Sequence, residues 1–204
     1  MSLLDEFSDI TRRDVSLAEL TWLKVGGAAE YFVEPRTVDE LVSVVRCCHE
    51  NDLGLRVLGA GSNLLVRDEG VRGVVLRLAG EEFRNVSVAG TRVTAGGAAT
   101  LSQVIAQSVR AGLVGLETVV GIPGTVGAAL QGNAGGRSGD IGQTVQSVTV
   151  LTATGEQFTR SEDELSFAYR QSSINELLVL ESTFQLAEAP HFKSCRCKVC
   201  PLNR

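Results

Sequence analysis

The 204-residue sequence is poor in lysine, histidine and aromatic residues. Three lysines, two histidines and 5% aromatic residues leave little material for a histidine-based metal site or a lysine-bearing phosphate loop. Acidic residues outnumber basic ones by 24 to 19, and no basic stripe offsets the net charge of −5, which argues against binding nucleic acid by phosphate neutralisation. With 44% hydrophobic residues, the composition is nevertheless that of a globular protein with one large domain or two small ones.

The sequence also lacks clear targeting and membrane signals. No basic region followed by an apolar core stands at the N-terminus, so we expect no secretory signal. The longest apolar stretch, residues 113–130, contains Glu117, Pro123 and four glycines, which argues against a membrane span. The cysteines form no disulfide framework, because Cys47 and Cys48 are adjacent and the other three lie in the last ten residues. We therefore expect a cytoplasmic protein.

Two capping boxes predict the best-defined helices. Thr37 with Glu40, and Thr100 with Gln103, can satisfy the first free amides of a helix in each case. The apolar residues expected on the buried faces are Leu41, Val44, Val45 and Cys48 in the first helix and Leu101, Val104, Ile105 and Val109 in the second.

Short apolar runs predict strands between and after these helices. The expected strands are residues 55–58, 64–66, 74–78, 83–88, 91–95, 145–152, 157–160 and 177–186, with a hairpin at Ala89 and Gly90. Because strands and helices are interleaved without a clean βαβα alternation, the fold class is α+β.

The first glycine-rich segment, residues 58–64, has two interpretations. A dinucleotide-binding fingerprint is excluded, because Leu64 stands where the third glycine is required and no helix pattern follows. Backbone amides, the Ser62 hydroxyl and the Asn63 amide could surround an anionic oxygen. The alternative is a simple hairpin turn.

The second glycine-rich segment, residues 121–136, favours a ligand site. Glycines this dense lower stability unless the backbone must approach a partner closely or adopt positive φ. Pro123 stiffens the turn, and small residues at positions 127–129 leave room beside a short helix. Two such loops in an acidic protein suggest a nucleotide-bearing cofactor held by backbone amides, although a purely structural turn remains an alternative.

These segments together resemble the UDP-N-acetylmuramate dehydrogenase family, also called UDP-N-acetylenolpyruvoylglucosamine reductases. The resemblance covers roughly residues 20–187 and rests on motifs that occur in the family's order. They are residues 21–27 followed by Ala29, 58–66, 115–117 with 121–127, 133–135, 139–141 and 167–172.

The resemblance implies an α+β, two-lobed FAD-binding module of the vanillyl-alcohol-oxidase type. It also implies that NADPH delivers a hydride to FAD, which then passes one to the enolpyruvyl ether of UDP-N-acetylglucosamine in peptidoglycan precursor synthesis. The implied catalytic residue is Arg170, whose fixed charge would oppose the negative charge that develops beside the substrate carboxylate. Tyr169 would contact the substrate. The residues implied in cofactor binding are Leu58, Gly59, Ala60, Gly61, Ser62, Asn63, Leu64, Gly121, Ile122, Pro123, Gly124, Thr125, Gly127, Ala128, Asn133 and Gly135.

The sequence departs from the family in two places. Gly136 and Arg137 stand where the family commonly has Ala and Tyr. The family's third, C-terminal domain of about a hundred residues, a size typical of an independent unit, has no counterpart here, so neither the proton donor nor the assisting glutamate is assigned. We expect an N-terminal extension at residues 1–20, a flavin-binding domain at 21–188 with lobes at about 21–78 and 79–188, and an atypical tail at 189–204.

The tail offers His191, Cys195, Cys197 and Cys200 as ligands for zinc. A compact cluster without a distant second pair is weak support, and no metal site is predicted. Three functions stay open: the reductase, a flavin-binding module without turnover, and another oxidoreductase with the same flavin fold.

Overall fold

The structure is a computed structural model, which describes residues 4–189. Its three helices are capped as their sequences require. In α1, Val38–Glu50, the Thr37 hydroxyl accepts a hydrogen bond from the Glu40 amide over 3.2 Å. In α2, Leu101–Arg110, both halves of the Thr100–Gln103 capping box are formed. A shorter α3, Val126–Gln131, begins at Thr125. Both sequence-predicted helices are confirmed.

The first sheet has four strands in the order β1-β2-β4-β3. The β1 strand pairs antiparallel with β2, whereas β4 is parallel to both of its neighbours. Helix α1 forms the connection between β2 and β3, which parallel strands need. The strands are β1 Thr11–Ser16, β2 Ala28–Val33, β3 Leu55–Val57 and β4 Val71–Leu76.

The second sheet is antiparallel and has five strands in the order β11-β10-β14-β6-β5. Its strands are β5 Val86–Ala89, β6 Arg92–Gly96, β10 Val145–Leu151, β11 Gln157–Ser161 and β14 Leu178–Gln185. Helices α2 and α3 lie in the connection between β6 and β10. Three pairs of two-residue strands complete the fold: β7 Leu113–Val114 with β15 Ala187–Glu188, β8 Gly135–Gly136 with β9 Gly139–Asp140, and β12 Phe167–Ala168 with β13 Gln171–Ser172.

The α+β class and the hairpin at Ala89 are confirmed, but three local predictions are wrong. Residues 64–66 form no strand, since this segment packs against Gly26, where a Cβ would lie 2.6 Å from the Val66 carbonyl oxygen. Residues 82–84 form a 3-10 turn rather than the start of a strand, which buries Phe83. In α2, Ser108 is buried instead of Val109, because it shares a helix face with Leu101 and Val104; its hydroxyl donates to the Val104 carbonyl and is therefore satisfied inside the core.

The two sheets share a hydrophobic core, and this fixes the space between them. Side chains of α1 and β4 pack in one cluster with Leu151, Leu178 and Leu180 of the second sheet. The Arg46 guanidinium of α1 also donates to the Gly155 carbonyl in the turn after β10. Strand β1 belongs to the first sheet, so part of residues 1–20 packs with the first lobe, while the domain boundaries themselves stay predictions. Within residues 4–189, no helix has the length and apolar character needed to span a bilayer.

Candidate functional site

Residues 58–64, called loop 1 here, follow β3 and line a cleft. The Leu58 amide still donates to the Leu76 carbonyl of β4. The amides of residues 59–63 donate to no acceptor in the part of the chain that the structure describes. Five successive amides without a protein acceptor are available to an anion.

A tight contact with the preceding segment shapes loop 1. Gly61 has a φ of +64°, and a Cβ there would lie 2.1 Å from the Leu20 carbonyl oxygen. The Trp22 amide donates to the Gly61 carbonyl over 3.0 Å. Residues 20–22, where the motif at 21–27 begins, therefore pack directly against loop 1. Only glycine fits at position 61.

Residues 121–128, called loop 2, comprise most of the segment between the 3-10 turn Glu117–Val119 and α3 together with the first three residues of that helix. The Gly124 carbonyl accepts from the Leu101 amide, and the Val126 amide donates to the Ala99 carbonyl over 2.9 Å. The Gly124 and Thr125 amides have no acceptor among residues 4–189. Loop 2 is thus fixed at the N-terminus of α2 while two of its amides stay available to a ligand.

Loops 1 and 2 meet at one cleft, although about sixty residues separate them in sequence. The Ser62 hydroxyl donates to the Pro123 carbonyl over 3.2 Å. A Cβ at Gly59 would lie 3.2 Å from the Thr125 hydroxyl and 3.6 Å from the Ala128 Cβ. The space between the loops, called the central cavity, has a volume of about 440 Å³. Of the predicted cofactor residues, it is lined by Leu58, Gly59, Ala60, Gly61, Ser62, Asn63, Leu64, Ile122, Pro123, Gly124 and Ala128.

The cleft continues into a second space of about 600 Å³, called the distal cavity. It shares Gly59, Ala60 and Ala128 with the central cavity, and the predicted cofactor residues Thr125 and Gly127 line it as well. The charged residues that line these two cavities in the described part of the chain are three arginines, Arg77, Arg84 and Arg170. In a chain with a net charge of −5, a carboxylate-free cleft favours an anionic ligand.

Arg170 lies at the tip of the hairpin formed by β12 and β13. Ala168 pairs with Gln171, so Tyr169 and Arg170 are the two turn residues, and Arg170 has a φ of +58°. Its guanidinium lies 5.9 Å from the Tyr169 ring centroid and forms no hydrogen bond with any described residue. The Tyr169 side chain is 90% exposed. A guanidinium that donates no hydrogen bond to the described protein is available to a ligand.

Asn133 holds this hairpin in place. Its side-chain amide donates to the Ala168 carbonyl over 2.8 Å, and its side-chain oxygen accepts from the Gly142 amide over 3.2 Å. Asn133 is 3% exposed and has a φ of +41°, which asparagine tolerates better than most residues. The structure therefore gives Asn133 a positioning task, and direct contact with a cofactor stays a prediction.

A third space of about 350 Å³, called the outer cavity, adjoins the hairpin. Asn133, Gly135, Tyr169 and Arg170 line it together with Arg137, the residue that departs from the family pattern. Arg170 lines both the outer and the central cavity and so lies where they join. Gly121 is exposed at the start of loop 2 and lines none of these three cavities.

The serine hydroxyls that follow Arg170 in sequence are engaged by the protein. The Ser172 hydroxyl donates to the Gln131 carbonyl over 3.0 Å. The Ser173 hydroxyl accepts from the Ser166 amide over 3.0 Å and from the Arg160 guanidinium over 3.3 Å. Both serines hold the hairpin and its flanks in position.

Sequence reasoning missed the arginines of the distal cavity. Arg77 directly follows β4, where a charge interrupts an otherwise apolar run, and this was the available signal. Glu34 accepts hydrogen bonds from Arg77 and Arg12. Partial burial acts to raise the pKa of Glu34, but these two arginines outweigh it and lower the pKa below its usual value. No sequence pattern marked Arg84.

The cysteines offer no reactive centre in the described part of the chain. Burial and the neighbouring Cys47 raise the pKa of the Cys48 thiol to about 11, so it stays protonated at neutral pH. Residues 4–189 contain no group of three or more His, Cys, Asp or Glu side chains that could hold a metal ion. The candidate zinc ligands at 191–200 lie outside the described residues.

Comparisons with known proteins show the family of this chain. Residues 29–161 match the family model described as "FAD binding domain". The chain is 37% identical over 182 residues to a UDP-N-acetylenolpyruvoylglucosamine reductase of Rhodopirellula baltica, covering 89% of this chain and 60% of that one. It is 42% identical over 173 residues to the reductase of Listeria monocytogenes, covering 84% and 57%. The chain thus spans about 60% of the length of these curated relatives.

Solved structures are similar over nearly the whole described part. The UDP-N-acetylenolpyruvylglucosamine reductase from Thermus caldophilus superposes with a TM-score of 0.76 at 37% identity, covering 88% of this chain and 64% of that one. Cholesterol oxidase from Brevibacterium sterolicum superposes with a TM-score of 0.68 over 89% of this chain and 38% of that one, at 17% identity. The second likeness concerns the fold alone.

Proposed function

The chain belongs to the FAD binding domain family, and on that premise we propose that it performs the flavin chemistry of a UDP-N-acetylenolpyruvoylglucosamine reductase. Its fold is the α+β flavin-binding module expected from the sequence. In the proposed reaction, NADPH is the hydride donor and UDP-N-acetylglucosamine enolpyruvate is reduced to UDP-N-acetylmuramate. The product is a peptidoglycan precursor, and the reaction takes place in the cytoplasm.

The observation that carries the proposal is the convergence of free amides and arginines on one carboxylate-free cleft. The amides of residues 59–63, with those of Gly124 and Thr125, can bind the oxygens of a pyrophosphate without any lysine. Glycine at position 59 leaves the gap between loops 1 and 2 open, since a Cβ there would reach the Thr125 hydroxyl. The residues present therefore fit FAD, and loops 1 and 2 are the segments that would hold its phosphates.

When bound, FAD supplies two-electron transfer, taking a hydride from NADPH and giving one to the substrate. Arg170 stabilises the charge that this transfer produces. Hydride addition to one carbon of the enolpyruvyl double bond leaves negative charge on the other carbon, beside the substrate carboxylate. A guanidinium opposite that charge lowers the barrier, and removing such a group typically costs about 100- to 1000-fold in rate. A proton at the charged carbon completes the product. Tyr169, next to Arg170 at the hairpin tip, would contact the substrate.

The hairpin explains why Arg170 can perform this task. Asn133 and the Ser172 hydroxyl tie the hairpin to the loop between α3 and β8 and to α3 itself. An arginine whose backbone is already held in position needs little reorganisation when the transition state forms. The free guanidinium faces both the central and the outer cavity, which suits an arginine between cofactor and substrate.

Flavin spectroscopy on the full chain tests the proposal in three steps. Titration with FAD should give a yellow complex, anaerobic NADPH should bleach it, and the enolpyruvyl substrate should restore the oxidised spectrum with formation of UDP-N-acetylmuramate. Failure to bind FAD would contradict the proposal as a whole. Bleaching without substrate-dependent reoxidation would instead support the flavin-binding module without turnover.

A further inference from the structure

Arg77 is held in a defined orientation at the wall of the distal cavity. Its Nε donates to the Glu34 Oε1 over 2.9 Å, and its Nη2 donates to the same oxygen. The guanidinium lies 5.1 Å from the ring centroid of the buried Phe32. Its Nη1 has no hydrogen-bond acceptor within residues 4–189. One side of this guanidinium is therefore fixed by the protein, and donors on the other side remain free.

Arg84 contributes a second cation to the same cavity. It ends the 3-10 turn Glu82–Arg84, whose central Phe83 is buried in the shared core. The Arg84 side chain is exposed and has no hydrogen bond or ion pair with any described residue. The buried turn thus anchors the backbone of an arginine that nothing in the described protein neutralises.

The order of groups along the cleft indicates what these arginines bind. Arg170 lines the central cavity but not the distal one, whereas Arg77 and Arg84 line only the distal one. The free amides of loop 1 lie between them, because Gly59 and Ala60 line both cavities. If the hydride-transferring ring is placed beside Arg170 and the pyrophosphate at the loop amides, the ADP half of FAD extends toward Arg77 and Arg84. Guanidinium groups suit this half, since they pair with phosphate and stack on aromatic bases.

Resting on the proposed function, we propose that Arg77 and Arg84 bind the ADP half of FAD and determine the preference for FAD over riboflavin. Glu34 is a positioning residue in this arrangement, because it orients Arg77 without facing the ligand. A volume of about 600 Å³ is sufficient for an adenylate group.

Flavin and nucleotide affinities of variants test this inference without any turnover. Arg84→Ala is the first variant, because the side chain has no partner in the described protein whose loss would disturb folding. Arg77→Lys is the second, since it keeps the charge but loses the planar donors. Arg72→Ala and Arg110→Ala are matched controls, which remove exposed arginines that do not line the cleft. FAD and riboflavin are titrated by flavin fluorescence, ADP by calorimetry, and folding is checked by thermal denaturation.

Arg84→Ala should weaken FAD and ADP binding by about 10- to 100-fold, the range for one charge-assisted contact, and leave riboflavin affinity unchanged. Arg77→Lys should act in the same direction, and the controls should match the wild type. Equal losses for FAD and riboflavin, or no loss for either, would overturn the inference while flavin binding stands. If the wild type binds no flavin, the proposed function fails and the inference fails with it.

Discussion

The side-chain amide of Asn133 donates to the Ala168 carbonyl over 2.8 Å, so a buried residue after α3 holds the hairpin that carries Arg170. The same side chain accepts from Gly142 and links that hairpin to the segment after β9. Orientation of the proposed catalytic arginine thus depends on a residue that is itself nearly inaccessible.

We predict that Asn133→Asp reduces substrate-dependent flavin reoxidation much more than FAD binding. The carboxylate keeps the acceptor for Gly142 but places an oxygen against the Ala168 carbonyl. Loss of this buried hydrogen bond should lower the free energy of unfolding by about 1–3 kcal/mol. Asn133→Gly, which tolerates the φ of +41° but removes the amide, separates backbone strain from hydrogen bonding. Unchanged reoxidation in both variants would refute the positioning role.

Gly61→Ala should destabilise the protein far more than Gly90→Ala. Both glycines have nearly the same φ, +64° and +62°, so the conformational cost of about 1–2 kcal/mol is shared. A Cβ at Gly61 would collide with the Leu20 carbonyl at 2.1 Å, whereas one at Gly90 meets nothing within 4 Å. Overpacking should add about 1–3 kcal/mol at position 61, measured by urea denaturation. Equal destabilisation of the two variants would show that the contact with Leu20 does not matter.

Gly59→Val should abolish high-affinity FAD binding while the fold persists. A Cβ at this position already lies 3.2 Å from the Thr125 hydroxyl, so the larger side chain would fill the gap between loops 1 and 2. Gly54→Val is the matched control, because a Cβ at this position, just before β3, would meet open space and Gly54 does not line the cleft. We expect at least a tenfold loss of FAD affinity, about 1.4 kcal/mol, in Gly59→Val. Retained FAD affinity in fluorescence titrations would place the cofactor elsewhere.

Arg170→Lys should retain FAD binding and the bleaching of the flavin by NADPH. It should slow reoxidation by the substrate about 100-fold or more, the rate loss seen when an enzyme loses one donor to its transition state. Lysine preserves the charge but not the planar set of donors. Stopped-flow absorbance separates the two half-reactions. An equal slowing of both would argue that Arg170 acts on the cofactor site as a whole rather than on the substrate.

Stability should fall in acid partly through Glu34. Hydrogen bonds and charge from Arg77 and Arg12 outweigh burial and lower the pKa of Glu34 below its usual value of 4.5. A carboxyl whose pKa is lower in the folded state stabilises that state above its unfolded pKa, and this contribution is lost as the pH falls through the folded value. Glu34→Gln should therefore flatten the pH dependence of the free energy of unfolding below about pH 4.5. The exposed Glu69→Gln serves as control, and identical profiles for wild type and Glu34→Gln would contradict the assignment.

Several predictions from the sequence hold because they depend on local chemistry. The capping boxes at Thr37 and Thr100 produced helices where expected, since a side chain three residues away satisfies the first amides whatever surrounds the helix. The strand predicted at residues 64–66 and the burial predicted for Val109 were wrong. Val66 is buried, but Leu64 and Leu65 are exposed in a loop, and Val109 is exposed on α2, because tertiary packing rather than apolar character decides which of these side chains is covered.

The sequence by itself determined the helix caps and the glycines that require positive φ, and its family motif marked Arg170 as the candidate catalytic residue. Only the tertiary structure decided that loops 1 and 2 meet at one cleft, that Asn133 holds the arginine hairpin, and that Arg77 and Arg84 line the distal cavity. The reason is physical. Caps and turns are decided within a few residues, whereas the cleft depends on two sheets packing through one shared core.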